Sequence, residues 1–211
     1  MITLLPYLIL VPAAYLLGAV PFGFIIAKSR GIDIRTVGSG NIGATNVLRS
    51  VGKSWGILTL VLDALKGLIP AALFPLIAMK YFSTDSPEIL KLSCGFAAII
   101  GHNFPVYLKF KGGKGVATTA GALIGIAPAA LGIGLAGFIA AFALSRMVSL
   151  GSIIAALTIP IAGWWLYREN GIVIPIALTI LGILVIWRHR ANIGRIVKGQ
   201  ENRISFSKKK M

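Results

Sequence analysis

The chain has 211 residues, 56% of them hydrophobic and only 13% charged, with a mean hydropathy of +0.86. It is far more apolar than a soluble domain of this length, and a lipid bilayer is its natural solvent. The 21 Lys and Arg against 6 Asp and Glu would suggest nucleic acid in a soluble protein, but in a membrane protein they report orientation, because basic residues collect in cytoplasmic loops.

The N-terminal stretch MITLLPYLILVPAAYLLGAVPFGFII has no basic n-region and exceeds the roughly 7 to 15 residues of a signal-peptide core, so it reads as a retained first span. A span needs roughly 20 apolar residues. Runs of that kind predict helices over Thr3–Ala27, Trp55–Met79, Leu90–Leu108, Val116–Ala129, Ala130–Leu144, Gly151–Leu166 and Gly171–Trp187. The fourth and fifth are interrupted by Gly121, Gly125, Pro128, Gly132, Gly134 and Gly137 and read as a kinked pair. Small residues at such spacing let helices approach closely.

If seven helices alternate, the connections 28–54, 109–114, 145–149 and 188–211 share one side and carry 17 of the 21 basic residues. The expectation is therefore an all-α integral membrane protein of one polytopic domain over residues 1–211. It would have seven transmembrane helices, the N-terminus outside and the C-terminus cytoplasmic. Cys94, the single cysteine, is expected as a small buried thiol. Trp55, Trp164, Trp165 and Trp187 read as membrane-belt anchors, and the tail ISFSKKKM as a basic terminus attracted to anionic lipid.

The polar segments open on the predicted cytoplasmic face and suggest one shared site. In GSGNIGATNVLR, Gly38, Gly40 and Gly43 match G-x-G-x-x-G. No strand precedes them, though, and the candidate ribose acid Asp63 lies inside an apolar span, which excludes a dinucleotide fold. A phosphate-binding P-loop fails as well, because Val47 stands where its first Gly would be and Gly115 follows Lys114. What remains is oxyanion chemistry. Glycines let backbone N–H groups converge, Ser39, Asn41, Thr45 and Asn46 add short donors, and Arg49 adds a planar fork.

In KFKGGKG, Lys109, Lys111 and Lys114 bracket Gly112, Gly113 and Gly115 before Val116-Ala117-Thr118-Thr119 opens a helix. This is the arrangement of a helix N-terminal anion site. His102 and Asn103, before Pro105, read either as a structural cap or as part of the site. In HRANIGR, spacing by three puts His189 and Asn192 on one helical face, with Arg188 and Arg195 aligned at seven. Asp63 and Lys66, at i and i+3, read equally as a structural ion pair or as support for the site. No Cys/His cluster, HExxH or GxSxG elbow is present, and no carboxylate pair on the predicted cytoplasmic side, so metal hydrolysis, a carboxylate acid/base pair and a serine nucleophile have little support and no metal or cofactor is expected.

GSGNIGATNVLR, GHNFPVYLKFKGGKGVAT and HRANIGRIVKGQEN, in that order, together with Asp63-Ala-Leu-Lys-Gly67 and Ser149-Leu-Gly-Ser, closely resemble the bacterial acyl-phosphate:glycerol-3-phosphate acyltransferases of the PlsY type. The resemblance implies acyl transfer from acyl phosphate to the 1-hydroxyl of glycerol 3-phosphate, giving lysophosphatidic acid and inorganic phosphate, the first step of phospholipid synthesis. It implies a site facing the cytoplasm of the bacterial inner membrane and no HxxxxD motif. Its partners would be the two substrates, membrane lipids and the soluble enzyme that makes acyl phosphate, with no nucleic acid.

On that resemblance Arg49, Lys111, Ser149, His189 and Asn192 are the expected catalytic residues. The expected substrate-binding residues in the first half are Ser39, Gly40, Asn41, Gly43, Thr45, Asn46 and His102. Gly112, Gly113, Lys114, Gly115, Thr118, Arg195 and Glu201 complete them. Gly38 to Thr45 and Gly112 to Gly115 would cradle the acyl phosphate, with Lys111 or Lys114 neutralising the departing phosphate. Arg49, Ser149, His189 and Asn192 would hold glycerol 3-phosphate. The base would be the substrate's own phosphate, with His102 or His189 as the competing candidate. Transport of a phosphate ester is the alternative function, but it predicts a polar path through mid-membrane rather than polar segments crowded on one face.

Overall fold

The computed structural model describes residues 4–82 and 86–204. The basic tail after Ile204 and part of the YFSTDSPE turn lie outside the described residues. The chain divides into two compact units, Met1–Pro128 and Ala129–Met211.

The first unit holds α1 (Leu5–Ala19), α2 (Phe22–Ser29), α3 (Ala44–Ser50), α4 (Lys53–Ala72), α5 (Phe74–Tyr81), α6 (Pro87–Asn103) and α7 (Val116–Ile126). Val20 precedes Pro21 and is pushed out of the helical region, to ψ 115°, so α1 and α2 form one broken span. The helix α6 ends for the same reason before Phe104-Pro105, and Tyr15 Oη donates to the Phe104 carbonyl at 2.8 Å.

Unit one is tied together by small residues. A Cβ on Gly67 would overlap the Thr118 carbonyl, and one on Gly121 would overlap the Ala64 carbonyl, so α4 and α7 cross nearly backbone to backbone. The first turns of α7 therefore lie beside Ala64 and Gly67, about halfway along the Lys53–Tyr81 span formed by α4 and α5. Cys94 is buried with Leu10, Ala14, Ala78 and Leu90, as expected of a small thiol.

The second unit holds α8 (Pro128–Ser145, beginning at the boundary), α9 (Val148–Tyr167), α10 (Val173–Arg188) and α11 (Arg190–Val197). Here α9 packs on α10, with Gly163 against Leu178 and Gly182 against Ala156 and Pro160. Large apolar side chains such as Leu8, Leu65, Ile139, Ile161 and Ile183 are exposed. That pattern would be an aggregation hazard in water and is normal against lipid.

Among the described residues five helical segments are long and apolar enough to cross a membrane, six if α10 and α11, bent by 58°, count as one broken span. The difference from seven equal spans lies in α7, whose 11 residues reach only about 16 Å. Gly115 and Ala127 end it on both sides, so the predicted Val116–Ala129 span is half-length. HRANIGR likewise does not continue the last helix straight: the chain bends at His189.

Candidate active site

In unit one the glycine loop before α3 is pinned by apolar pegs. Ile34, Ile42 and Val47 are buried together with Ile26 and Ala27. Asn46 organises its backbone. Its Nδ2 donates to the carbonyls of Ile34, Val37 and Asn41 at 3.1, 3.1 and 2.9 Å. Its Oδ1 accepts from the Ser39 N–H at 3.0 Å.

Asn41 Oδ1 accepts from the Gly43 N–H at 2.8 Å, and the Gly40 N–H donates to the Val37 carbonyl at 3.0 Å. The N–H groups of Ser39, Gly40 and Gly43 thus serve the loop itself, and Asn46 is its buried frame. Ser39 and Arg49 are exposed and Thr45 half-buried, which leaves side chains rather than these amides to meet a substrate. Gly38 and Gly40 take positive φ, 58° and 68°.

The second loop folds tightly over the end of α6. The Gly113 N–H donates to the His102 carbonyl at 3.1 Å. A Cβ on Gly113 would overlap the His102 ring, and one on Gly115, at φ 80°, would sit 2.7 Å from Asn103 Oδ1. Only glycine satisfies both the left-handed conformation and that approach. Lys109 and Phe110 also take left-handed conformations, φ 51° and 61°, a costly pair for residues with side chains. Lys111 is exposed and Lys114 half-buried.

Behind the loop, the Asn103 amide and the hydroxyls of Thr118 and Thr119 are buried without a hydrogen-bond partner among the described residues. Asn103, read from sequence either as a cap or as part of the site, thus presents unpartnered amide atoms behind the loop, as a ligand-binding residue would. Its signal was its place at the end of α6, two residues before Pro105.

Below this lies a buried charged network. Lys66 Nζ is 2.8 Å from Asp63 Oδ1 and donates to the Val20 carbonyl at 2.8 Å. Asp63 Oδ1 is in turn 3.7 Å from His102 Nδ1. Lys66 also lies over the Phe22 ring at 5.6 Å.

In unit two Glu201 is the hub. Its Oε1 accepts from Ser149 Oγ at 2.9 Å and from Asn192 Nδ2 at 2.8 Å, and its Oε2 accepts from Arg195 Nε at 2.7 Å. Gly199, at φ 69°, turns the chain back. The Ile204 N–H then donates to the Arg146 carbonyl at 2.9 Å, which straps this segment to the turn between α8 and α9. Burial pushes the Glu201 carboxyl up, but the bonds from Asn192, Ser149 and Arg195, with the Arg195 charge, outweigh it and hold the carboxyl below its ordinary value. His189 is buried at the bend, its Nδ1 2.8 Å from the Val185 carbonyl. If that contact is a hydrogen bond, Nδ1 carries the proton and Nε2 is the acceptor of the neutral ring.

Among the described residues no group of three or more His, Cys, Asp or Glu could hold a metal ion. The parts are those of a helical integral membrane protein whose glycine loops, cations and amide donors are chemically suited to an oxyanion. The sequence model described as "Glycerol-3-phosphate acyltransferase" matches residues 8–199, and the chain belongs to that family.

It is 47% identical to the glycerol-3-phosphate acyltransferase of Geotalea daltonii over 195 residues, covering 92% of this chain and 96% of that one. It is 44% identical to that of Aquifex aeolicus over 200 residues, covering 93% and 98%. Among solved structures it is similar to PlsY (YgiH), an integral membrane glycerol 3-phosphate acyltransferase, in its glycerol 3-phosphate form. The TM-score is 0.83 at 42% identity, over 94% of this chain and 95% of that chain. The lysophosphatidic acid form of the same enzyme gives 0.80 at 41%.

Proposed function

We propose that this protein transfers a fatty acyl group from acyl phosphate to the sn-1 hydroxyl of glycerol 3-phosphate, releasing lysophosphatidic acid and inorganic phosphate. It would do so as a single enzyme domain of the bacterial inner membrane, with the glycine loops facing the cytoplasm and the N-terminus outside. Counting α7 and the bent α10–α11 pair as spans gives the seven crossings that the charge distribution favours. The observation that carries the reading is the Gly112–Gly115 loop at the N-terminus of α7, backed by buried Asn103 and Thr118. Helix N–H groups, glycine backbone and buried polar donors together suit a phosphate ester. The two forms in which the similar solved structure is known, with glycerol 3-phosphate and with lysophosphatidic acid, support the same substrate and product here.

An acyl phosphate is already activated, so no enzyme nucleophile is needed. The glycerol hydroxyl oxygen attacks the carbonyl carbon and a C–O ester bond forms. The bond from that carbon to the phosphate oxygen breaks, and phosphate departs, its charge met by Lys111 or Lys114. Ser39, Thr45 and the loop before α3 add contacts to the acyl phosphate. For glycerol 3-phosphate the resemblance assigns Arg49 in the first unit and, in the second, His189, Asn192 and Ser149, with Arg195 and Glu201 fixing Asn192 and Ser149. The hydroxyl proton passes to the substrate's own phosphate, whose second pKa of about 6 suits proton uptake near neutrality.

The test is release of inorganic phosphate from acyl phosphate by the purified protein in detergent micelles. The expected result is release that depends on glycerol 3-phosphate and yields one ester per phosphate. Absence of that dependence in micelles, where no gradient exists, would return the chain to the transport reading.

A further inference from the structure

A carboxylate and an ammonium buried halfway along a membrane span are costly, and they persist where they hold something in place. In unit one they join three elements. Lys66 on α4 reaches the Val20 carbonyl at the break between α1 and α2, which also accepts the Phe22 N–H at 3.1 Å. Asp63, one turn earlier on the same helix, meets Lys66 at 2.8 Å through Oδ1. The same oxygen is 3.7 Å from His102 Nδ1, an ion-pair separation longer than a hydrogen bond.

His102 grips the glycine loop by two routes. Its carbonyl accepts the Gly113 N–H at 3.1 Å, and its ring fills the space that a Cβ on Gly113 would need. A Cβ on Gly112 would meet the same carbonyl and the Pro105 ring. Displacing the imidazole would therefore displace Gly112 and Gly113 with it. All three side chains of this network, Lys66, Asp63 and His102, are almost fully buried, so water cannot substitute for a lost partner.

We infer that Asp63 is a positioning residue for acyl transfer: through His102 it sets the Gly112–Gly115 phosphate loop, with Lys66 anchoring Asp63 to the broken first span. The inference rests on the reading of that loop as the cradle of the acyl phosphate. A carboxylate that orients a histidine is a recurrent device where the ring must hold one direction. Here the oriented ring supports backbone donors rather than a metal.

The experiment uses the full chain in detergent and the variants Asp63→Asn, His102→Gln, Asp63→Asn with His102→Gln, and Asp63→Asn with Lys66→Met. Thermal stability, kcat and the KM of each substrate are measured. Asp63→Asn is expected to raise KM for acyl phosphate about ten-fold, in the range that small misplacements of a site produce. KM for glycerol 3-phosphate should stay within about two-fold of the parent, a split that general loosening would not give.

Removing both charges, in Asp63→Asn with Lys66→Met, is expected to recover Tm without recovering that KM. His102→Gln should add little once Asp63 is replaced, since both act along one line. Wild-type KM in the doubly neutral protein, or simple additivity of the Asp63 and His102 effects, would overturn the inference. So would loss of fold in both the single and the doubly neutral variants, which would make the network purely architectural. If the unmutated protein released no phosphate in response to glycerol 3-phosphate, the functional reading itself would fail, and that result appears before any variant is compared.

Discussion

Ser149 Oγ donates to Glu201 Oε1 at 2.9 Å across 52 positions of sequence, and this fixes the direction of the serine hydroxyl. Its hydrogen faces the carboxylate, so its lone pairs are what it can offer a substrate. On the proposed reading, a serine held this way would serve as an acceptor for a glycerol hydroxyl rather than as a nucleophile. Ser149→Ala should then lower kcat by roughly ten- to a hundred-fold without leaving an acyl-enzyme. Mass measurement of the protein incubated with acyl phosphate alone would decide it: a trapped ester on Ser149 would contradict this geometry.

The Glu201 carboxyl is held below its ordinary value, so it is more acidic folded than unfolded. Such a group contributes stability that is complete above the unfolded value of about 4.3 and is lost as pH falls through the folded value. The melting temperature of the parent protein should fall through that acid window, and Glu201→Gln should show a shallower fall. Parallel slopes would remove Glu201 from the acid limb. At neutral pH, Glu201→Ala leaves three donors without their acceptor and should lower Tm by roughly 5 °C or more.

Arg49 sits in the last turn of α3, a helix set by Val47 and Asn46 beneath it. Its planar fork suits a phosphate dianion. Arg49→Ala should raise KM for glycerol 3-phosphate at least ten-fold, with a smaller change in kcat. An unaltered KM would place this arginine outside the phosphate site.

Gly115→Ala forces a Cβ into a left-handed residue and toward Asn103 Oδ1. The expected outcome is a rise in KM for acyl phosphate of about ten-fold, accompanied by a lower Tm, because strain at this position costs about 1 kcal/mol or more. Gly132→Ala, at a helical glycine with nothing within 4 Å of the added carbon, serves as the neutral control. Equal losses in both variants would mean that the effect belongs to the membrane helices in general rather than to the loop.

If the substrate phosphate takes the proton, the acid limb of the pH–rate profile should stay near pH 6 in His189→Gln, even where the rate falls. A limb that vanishes with the imidazole would make His189 the base.

The long apolar runs were readable in the sequence because lipid imposes length and composition directly, and the three polar segments stood out against them. Less readable was what depended on the chain returning to itself. Glu201 reaches Ser149 only because Gly199 reverses the backbone, and Asp63 meets His102 across two helices. Asn46 read as one more short donor for a ligand; burial among three carbonyls made it the loop's own scaffold. The bend at His189 broke the simple spacing argument that paired it with Asn192, although both side chains end up buried. The predicted spans Thr3–Ala27 and Leu90–Leu108 ran through Pro21 and Pro105, whereas these prolines break the first span at Val20, where Lys66 reaches the carbonyl, and end α6 at Asn103.

The half-length of α7 has a chemical consequence. Its first turn lies level with the middle of the α4–α5 span, so on the proposed reading the glycine loop would meet its phosphate well below the ends of these helices. At that depth the dielectric is low and fixed N–H dipoles act more strongly on an anion than they would at the surface. Bulk water, the competing nucleophile for an activated acyl group, is scarce there. On that reading, the shortness of one helix would help set how often the acyl group goes to glycerol rather than to hydrolysis.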